Sequence, residues 1–449
     1  MRPLFNSAEL RHVLVLAAPI ALMQTGMVLY GTVATVFAGR IGPEAIATVG
    51  LAGSTYFLLF IVVMGILLGI DPLSSQAFGA GRHQECSEVL AHAVVLGLAA
   101  VLPVFLALSG AASWFALVGI APEIARGAAA YLNIMRWGLF SSVLFVSCRQ
   151  YLQTLNVTRP QLAAVVGGNL LNAALDYSLM FGNWGAPRLG VIGAAYAFLA
   201  ANAFMFLVVA AAAWGRVRHS RYRWTGLRMD VFRQLLRVGV PSGLQMLAEV
   251  GAFGLATMLC GRLGAMAAAA HQIVLNLASL SYMVPLGVSY AAAVRVGQGL
   301  GRGQPSAAAR SGYAALFTGV AFMSLTSLAY VLMPRSILGL YTTDPAVTEL
   351  GIRLLAVAAF FQVFDGAQVV LTGALRGTGE TRIPMLANAV GYWAIGLPVG
   401  VFLAFPCGRG AWGLWIGLCI GLCSVALSLL FAWRRRARRL LELAQRGSD

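Results

Sequence analysis

The chain has 449 residues, of which 59% are hydrophobic and only 10% are charged, and its formal net charge is +16. Soluble domains carry roughly 25% charged residues, so this composition excludes a water-soluble globular protein and predicts an integral membrane protein. All 31 basic residues are Arg, and their grouping between apolar runs favours a signal of membrane topology over nucleic-acid binding.

Apolar runs of about 20 residues, the length that crosses a hydrocarbon core as a helix, recur along the whole chain. These runs predict an all-α protein, because a lipid-exposed strand edge would leave backbone groups without hydrogen bonds. The twelve predicted spans lie near 11–37, 45–70, 86–112, 127–153, 160–183, 190–215, 230–260, 266–295, 307–333, 349–375, 384–405 and 410–433.

The two halves of the chain are copies of one unit. PIALMQTGMVLYGTVATVFAGRIG at 19–42 returns as PSGLQMLAEVGAFGLATMLCGRLG at 241–264, an offset of 222 with 8 of 24 positions identical. A second echo relates FGAGR at 78–82 to QGLGR at 298–302. Duplicated membrane units are typical of secondary transporters, whose binding sites lie where the repeats face each other.

Arginine distribution predicts the orientation of the chain. With a cytoplasmic N-terminus, 23 Arg fall on the inner side and seven on the outer side, and Arg136 remains within a span. We therefore expect both termini in the cytoplasm, and contact between the basic clusters and anionic lipid headgroups. The predicted organisation is an N-terminal six-helix bundle at 1–215, a basic cytoplasmic linker at 216–229, and a C-terminal six-helix bundle with a basic tail at 230–449.

Four acidic residues stand out against this apolar background, because a carboxylate at the bilayer centre costs about 2.5–3.5 kcal/mol on insertion scales. Glu249, Asp365 and Asp176 fall in the seventh, tenth and fifth spans, and Asp71 falls at the end of the second. Each is a candidate functional acid, and a partnered structural acid is the alternative. For Asp71, followed by Pro72, a helix break or a pore-mouth role is equally compatible with the sequence.

The duplication adds weight to one of these acids. Met27 occupies the position in the first copy that Glu249 fills in the second. Packing alone favours similar residues in both copies, so a charge in only one copy indicates that this half has taken on an ion-handling task.

Several strings in the second half resemble a known family. They are AEVGAFGLATMLCGRLG around Glu249, AAHQIVLNLASLSYMVPLGVSYAAAVRVGQGLG at 269–301, and FDGAQVVLTGALRGTGETRIP at 364–384 with GYWAIGLP after it. The chain resembles the multidrug and toxic compound extrusion (MATE) family, in its NorM-like branch, over nearly its whole length. The resemblance implies two pseudo-symmetric six-helix bundles around a central cleft. It also implies a cation site formed by the acids at Glu249 and Asp365, with Tyr282 close by.

By the same resemblance, the function is antiport: export of cationic, amphipathic, drug-like compounds in exchange for Na⁺ or H⁺, by a monomer in the bacterial inner membrane. No cofactor, resident metal or nucleic-acid partner is expected, and the protein is not expected to be an enzyme. Na⁺ is a possible ligand of Glu249 and Asp365.

The first half departs from the family pattern. Related transporters often carry an acid in a motif that resembles V-D-T-x-x-A-G, whereas this chain reads VATVFAG with Ala34. Asn172 and Asp176, four residues apart and so on one helix face, match an Asn and acid pair of proton-coupled relatives. Tyr30 matches a Tyr of the same cluster. These three residues form a possible second cation or proton site.

The substrate cleft is expected to combine apolar walls with a few polar groups. The candidates are Gln24, Met27, Gln245, Met246, His271, Gln272, Asn276, Gln368 and Asp71. Packing is the alternative for the Met residues, and a hydrogen-bonded structural role is the alternative for His271.

Three other classes fit the sequence less well. A flippase of lipid-linked precursors, from the same superfamily, is expected to line its cleft with several Arg residues for pyrophosphate, whereas these spans hold acids. A polyprenyl-phosphate transferase is expected to show paired Asp motifs for a divalent metal. A channel is expected to show a filter-like repeat or a ring of like charges, and neither occurs in the sequence.

Overall fold

A computed structural model describes residues 7–224 and 226–446, and helices account for nearly all of them, with no strand in these two ranges. The first half contains α1 (Ser7–Ile41), α2 (Pro43–Leu67), α3 (Ile70–Gly79), α4 (His83–Ser109), α5 (Ala111–Leu117), α6 (Pro122–Met135), α7 (Gly138–Thr154), α8 (Arg159–Phe181) and α9 (Val191–His219). The second half contains α10 (Met229–Arg262), α11 (Ala265–Gly301), α12 (Pro305–Leu332), α13 (Pro334–Gly339), α14 (Pro345–Gly377), α15 (Arg382–Asn388), a π-helical segment (Ala389–Gly396), α16 (Leu397–Ala404) and α17 (Gly410–Arg446). This confirms the all-α prediction.

The predicted membrane spans correspond to these helices. Within the described ranges, ten helices are long and apolar enough to cross a membrane, and α6 with α7 forms an eleventh, broken span. The remaining predicted span is α8, whose 23 residues suffice in length but include Asn169, Asn172 and Asp176. These polar side chains make α8 less apolar than those ten helices.

The fourth span is not the continuous helix that its apolar run predicts. α6 and α7 meet at 52°, and Arg136 lies at this break instead of within a helix. Its guanidinium donates to Ser109 Oγ and sits 4.7 Å from the Phe105 ring centroid. The break lets a charged side chain find polar and aromatic partners.

The helices form two compact units, and each unit takes a short segment from the other sequence half. One unit comprises residues 23–243, and the other comprises 1–22 together with 244–449. The boundaries fall inside α1 and α10, shortly after Pro19 and Pro241, the prolines within these helices. The predicted division of the sequence at the linker into two six-helix bundles stays a prediction.

Glycine permits close helix contact at equivalent places in the two units. In one, a Cβ added to Gly65 of α2 would lie 2.1 Å from Gly243 Cα of α10. In the other, a Cβ added to Gly287 of α11 would lie 2.6 Å from the backbone nitrogen of Ala21 of α1. Gly287 lies 222 residues after Gly65, and Gly243 lies 222 residues after Ala21. The duplication therefore extends to this tertiary contact.

The linker is held against α4 in the first of these units. The backbone N–H of Arg228 donates to His92 Nε2 at 2.9 Å, and the Arg228 guanidinium pairs with Glu88 at 3.2 Å. His92 Nδ1 lies 2.8 Å from the Glu88 carbonyl oxygen, so both ring nitrogens are hydrogen-bonded. These contacts position the start of α10.

Candidate cation site

Glu249 lies in a chain of polar contacts within the unit formed by 1–22 and 244–449. Gln368 of α14 donates through Nε2 to Glu249 Oε1 at 3.3 Å, and Tyr392 donates its hydroxyl to Gln368 Oε1 at 2.9 Å. Gln368 and Tyr392 are fully buried, whereas Glu249 is partly exposed. Tyr392 thereby fixes the amide so that its N–H₂ end points at the carboxylate.

Asp365 completes the acidic site. It lies one turn before Gln368 on the same face of α14, and its side chain is 6% exposed. The carboxyl groups of Asp365 and Glu249 are close enough to interact electrostatically, and the Tyr282 hydroxyl is within hydrogen-bonding reach of Glu249. In the part of the chain that the structure describes, neither carboxylate forms an ion pair with an Arg. The structure thus brings together the three residues that the family resemblance implies for this site.

Tyr392 was not identified from the sequence, because its position depends on the π-helical segment. Pro398 lacks an N–H, and its ring excludes a normal turn before it, which favours a widened turn. Glycines let this segment pack on α17: a Cβ added to Gly391 would lie 2.3 Å from Val425, and one added to Gly421 would lie 2.6 Å from the Gly391 carbonyl oxygen. The string GYWAIGLP carries these residues and was the available signal.

A second polar site lies in the unit of residues 23–243. Asn172 donates through Nδ2 to Asp176 Oδ2 at 2.7 Å, as expected from their spacing on α8. Asp176 is fully buried, and its Oδ1 forms no hydrogen bond within the described residues. The hydroxyls of Tyr30 and Tyr131 are near enough to interact electrostatically with Asp176. A buried carboxylate with one bonded and one free oxygen is suited to accept a proton or a cation.

Tyr30 belongs to a wider hydrogen-bonded network next to this acid. Its hydroxyl donates to the Phe198 carbonyl at 3.0 Å and accepts from Asn202 Nδ2 at 3.2 Å. Asn202 Oδ1 accepts in turn from Ser142 Oγ at 3.1 Å, and Ser142 contacts the Tyr56 hydroxyl at 3.1 Å. The sequence analysis missed Asn202, although an Asn in the apolar stretch AANAF was a signal for it.

His271, a predicted cleft residue, has hydrogen-bond partners on two other helices. Trp415 donates through Nε1 to His271 Nδ1 at 3.1 Å, and His271 Nε2 lies 2.9 Å from Thr257 Oγ1. Since Nδ1 accepts a hydrogen bond, the proton of the neutral ring lies on Nε2. The ring is 1% exposed and has both nitrogens bonded.

The other predicted cleft residues differ widely in environment. Gln24 accepts from Arg149 Nη1 at 2.9 Å, and Asn276 Oδ1 accepts from the Tyr341 hydroxyl at 3.0 Å. Asp71, in the first turn of α3, and Gln245 are buried; Met27 and Met246 are partly exposed; Gln272 and Asn276 are exposed. Substrate contact by these side chains stays a prediction.

Sequence comparison matches the chain to a family model and to curated relatives. The MatE family model matches residues 19–178 and again 241–402, which reproduces the internal repeat with its offset of 222. The chain is 38% identical to the multidrug resistance protein NorM of Burkholderia vietnamiensis, over 93% of this chain and 92% of that protein. It is 36% identical to the probable multidrug resistance protein NorM of Bradyrhizobium diazoefficiens, over 96% and 95%.

Solved structures share the fold at lower identity. The crystal structure of the eukaryotic MATE transporter AtDTX14 superposes with a TM-score of 0.86 at 22% identity, over 97% of this chain and 98% of that one. The predicted fold class is therefore confirmed. Together with the apolar helices, the bacterial relatives support a multi-pass protein of a bacterial plasma membrane.

Proposed function

Since the chain belongs to the MATE family, with close relatives named NorM, we propose that it exports cationic, amphipathic, drug-like compounds from the cell in exchange for Na⁺ or H⁺. Family membership also confirms that the chain is a transporter and not an enzyme. The observation that carries the proposal is the pair of carboxylates, Glu249 and Asp365, in a buried polar site without an Arg partner in the described residues.

The physical basis is the cost of an uncompensated pair of negative charges. Two carboxylates close together in a protein interior repel each other and lose hydration, and a neighbouring Arg is the usual compensation. Here the nearest fixed partners are the neutral amide of Gln368 and the hydroxyl of Tyr282. A proton, Na⁺ or an organic cation bound between Glu249 and Asp365 supplies the missing positive charge.

Competition between these cations for one site produces antiport. The cation-bound site favours one conformation of the transporter, and the drug-bound site favours the other. The coupling cation and the drug are therefore released on opposite sides of the membrane. Inward movement of one elementary charge down a potential of 100 mV releases about 2.3 kcal/mol, which sustains roughly 40- to 50-fold accumulation. Binding and release at a single carboxylate pair is sufficient for this coupling.

The second acid, Asp176, supports a separate proton site in the unit of residues 23–243. Its free Oδ1 accepts a proton while Asn172 holds Oδ2 in place. Ala34 removes the acid that related transporters often carry nearby, so Asp176 acts with the hydroxyls of Tyr30 and Tyr131 instead of a second carboxylate. We also propose that both termini lie in the cytoplasm and that the monomer is the functional form.

The test is uptake of the cationic probe tetraphenylphosphonium into proteoliposomes, driven by an imposed gradient of Na⁺ or H⁺. The wild type should accumulate the probe, and Asp365→Asn should lose gradient-driven uptake. Glu349→Gln is the matched control, because Glu349 is an exposed acid on the same helix whose surface pair with Arg335 contributes little.

Gradient-driven uptake by Asp365→Asn at the wild-type rate would remove the carboxylate pair from the mechanism. Uptake that needs no opposing gradient would indicate a channel. Transfer of a lipid-linked pyrophosphate across the bilayer, with no movement of the organic cation, would favour the flippase alternative.

A further inference from the structure

A cavity lies at one membrane end of the unit of residues 23–243. Its volume is about 650 Å³, and it opens between the start of α4 and the ends of α7 and α9. The side chains at its wall include Arg82, His83, Glu85, Tyr151, Arg216 and His219. This is the end that the arginine distribution assigns to the cytoplasm.

The cavity has an excess of positive charge. Arg82 is paired with Glu85 at 3.0 Å, so these two charges compensate each other. Arg216, in the last turn of α9, forms no ion pair with any acid in the described residues. The imidazoles of His83 and His219 also line the cavity and add further nitrogen donors. The wall therefore presents cationic and N–H groups without an internal anion to neutralise Arg216.

Hydroxyl groups line the same wall in a fixed arrangement. The Tyr151 hydroxyl lies 3.1 Å from Ser87 Oγ, and Ser87 Oγ lies 2.9 Å from Ser220 Oγ. This chain connects α7, α4 and the end of α9. The His83 ring packs edge-on against Phe78 at 5.4 Å, which holds the first residue of α4 at the cavity mouth. The hydroxyl groups at this end of the cavity are therefore held by contacts between helices, whereas the Arg and His side chains of the wall are exposed.

We propose that this cavity binds a phosphate group, either that of a phospholipid headgroup or free inorganic phosphate. Arg and imidazole N–H donors around one concave surface are groups that recognise phosphate oxygens through charge-assisted hydrogen bonds. The N-terminus of α4 also opens on the cavity, and the positive end of its helix dipole favours an anion. A site at the end of three membrane helices lies at headgroup depth, where the cytoplasmic leaflet carries anionic lipid.

The test is isothermal titration of the purified, delipidated full chain with three probes. These are inorganic phosphate, short-chain dihexanoyl-phosphatidylglycerol, and dihexanoylglycerol, which has the same acyl chains without a phosphate. Arg216→Gln should weaken binding of the phosphate-bearing probe about tenfold or more, as expected for loss of a charge-assisted contact. Arg218→Gln is the control, because Arg218 is exposed on the same helix, two residues away, and does not line the cavity.

His219→Gln supplies a second variant within the cavity and should also weaken binding. Binding of phosphatidylglycerol alone assigns the site to a lipid headgroup, and binding of inorganic phosphate as well assigns it to phosphate in general. The proposal is overturned if neither phosphate probe binds, if dihexanoylglycerol binds equally well, or if Arg218→Gln reduces binding as much as Arg216→Gln.

Discussion

The close contact between α2 and α10 makes a quantitative prediction for Gly65→Ala. The new Cβ would lie 2.1 Å from Gly243 Cα and 2.5 Å from Gly243 N, whereas nonbonded carbon atoms prefer about 3.5–4.0 Å. The helices must therefore separate by roughly 1.5 Å, and overpacking of this kind costs about 1–3 kcal/mol. The substitution should destabilise the whole unit of residues 23–243, because the start of α10 is the last segment of that unit.

The matched control is Gly53→Ala on the same helix, where an added Cβ meets nothing within 4 Å. Both substitutions gain helix propensity of up to about 1 kcal/mol, so their difference isolates the clash. We expect Gly65→Ala to unfold several degrees below Gly53→Ala in thermal scans of the detergent-purified protein at one scan rate. Equal unfolding temperatures for the two variants would refute the contact.

Three further substitutions test individual hydrogen bonds. Tyr392→Phe leaves the buried Gln368 oxygen without its donor, at a cost of about 1–3 kcal/mol, and should raise the cation concentration needed for half-maximal transport; an unchanged cation dependence would exclude this positioning role. His271→Phe breaks two buried hydrogen bonds and should lower the unfolding temperature, and a stability equal to wild type would contradict the structural assignment. Asn172→Ala frees the second oxygen of Asp176 and should shift the pH dependence of H⁺-driven transport while Na⁺-driven transport persists; identical pH profiles would argue against a proton site.

The sequence predicted the features that depend on composition and repeat. The sequence alone shows twelve apolar runs, an internal repeat with an offset of 222, and acids within the apolar runs. The runs predict helices because lipid excludes open strand edges, and the acids are noticeable because charge in lipid is costly. The prediction that Glu249, Asp365 and Tyr282 lie close together came from the family resemblance, and the structure brings these three residues together. The spacing of Asn172 and Asp176 predicted that they share one helix face, and there the structure shows a hydrogen bond between them.

Other features depend on tertiary packing and could not be read from periodicity. Tyr392 reaches Gln368 through a π-helical segment, and a run of apolar letters does not distinguish that geometry from an α-helix. The break beside Arg136 and the unit boundaries inside α1 and α10 likewise require the neighbouring helices. Asn202 of α9 bonds Tyr30 of α1 and Ser142 of α7, so its network becomes visible only when the chain is folded.

The most direct test of the central claim is the cation flux that substrate itself evokes. Proteoliposomes loaded with radiolabelled Na⁺ and a pH-sensitive dye report both possible coupling ions in the same vesicles when tetraphenylphosphonium is added. The account predicts substrate-evoked movement of Na⁺ or H⁺ in the wild type and in Glu349→Gln, and none in Glu249→Gln. Substrate-evoked flux through Glu249→Gln at the wild-type rate would contradict it.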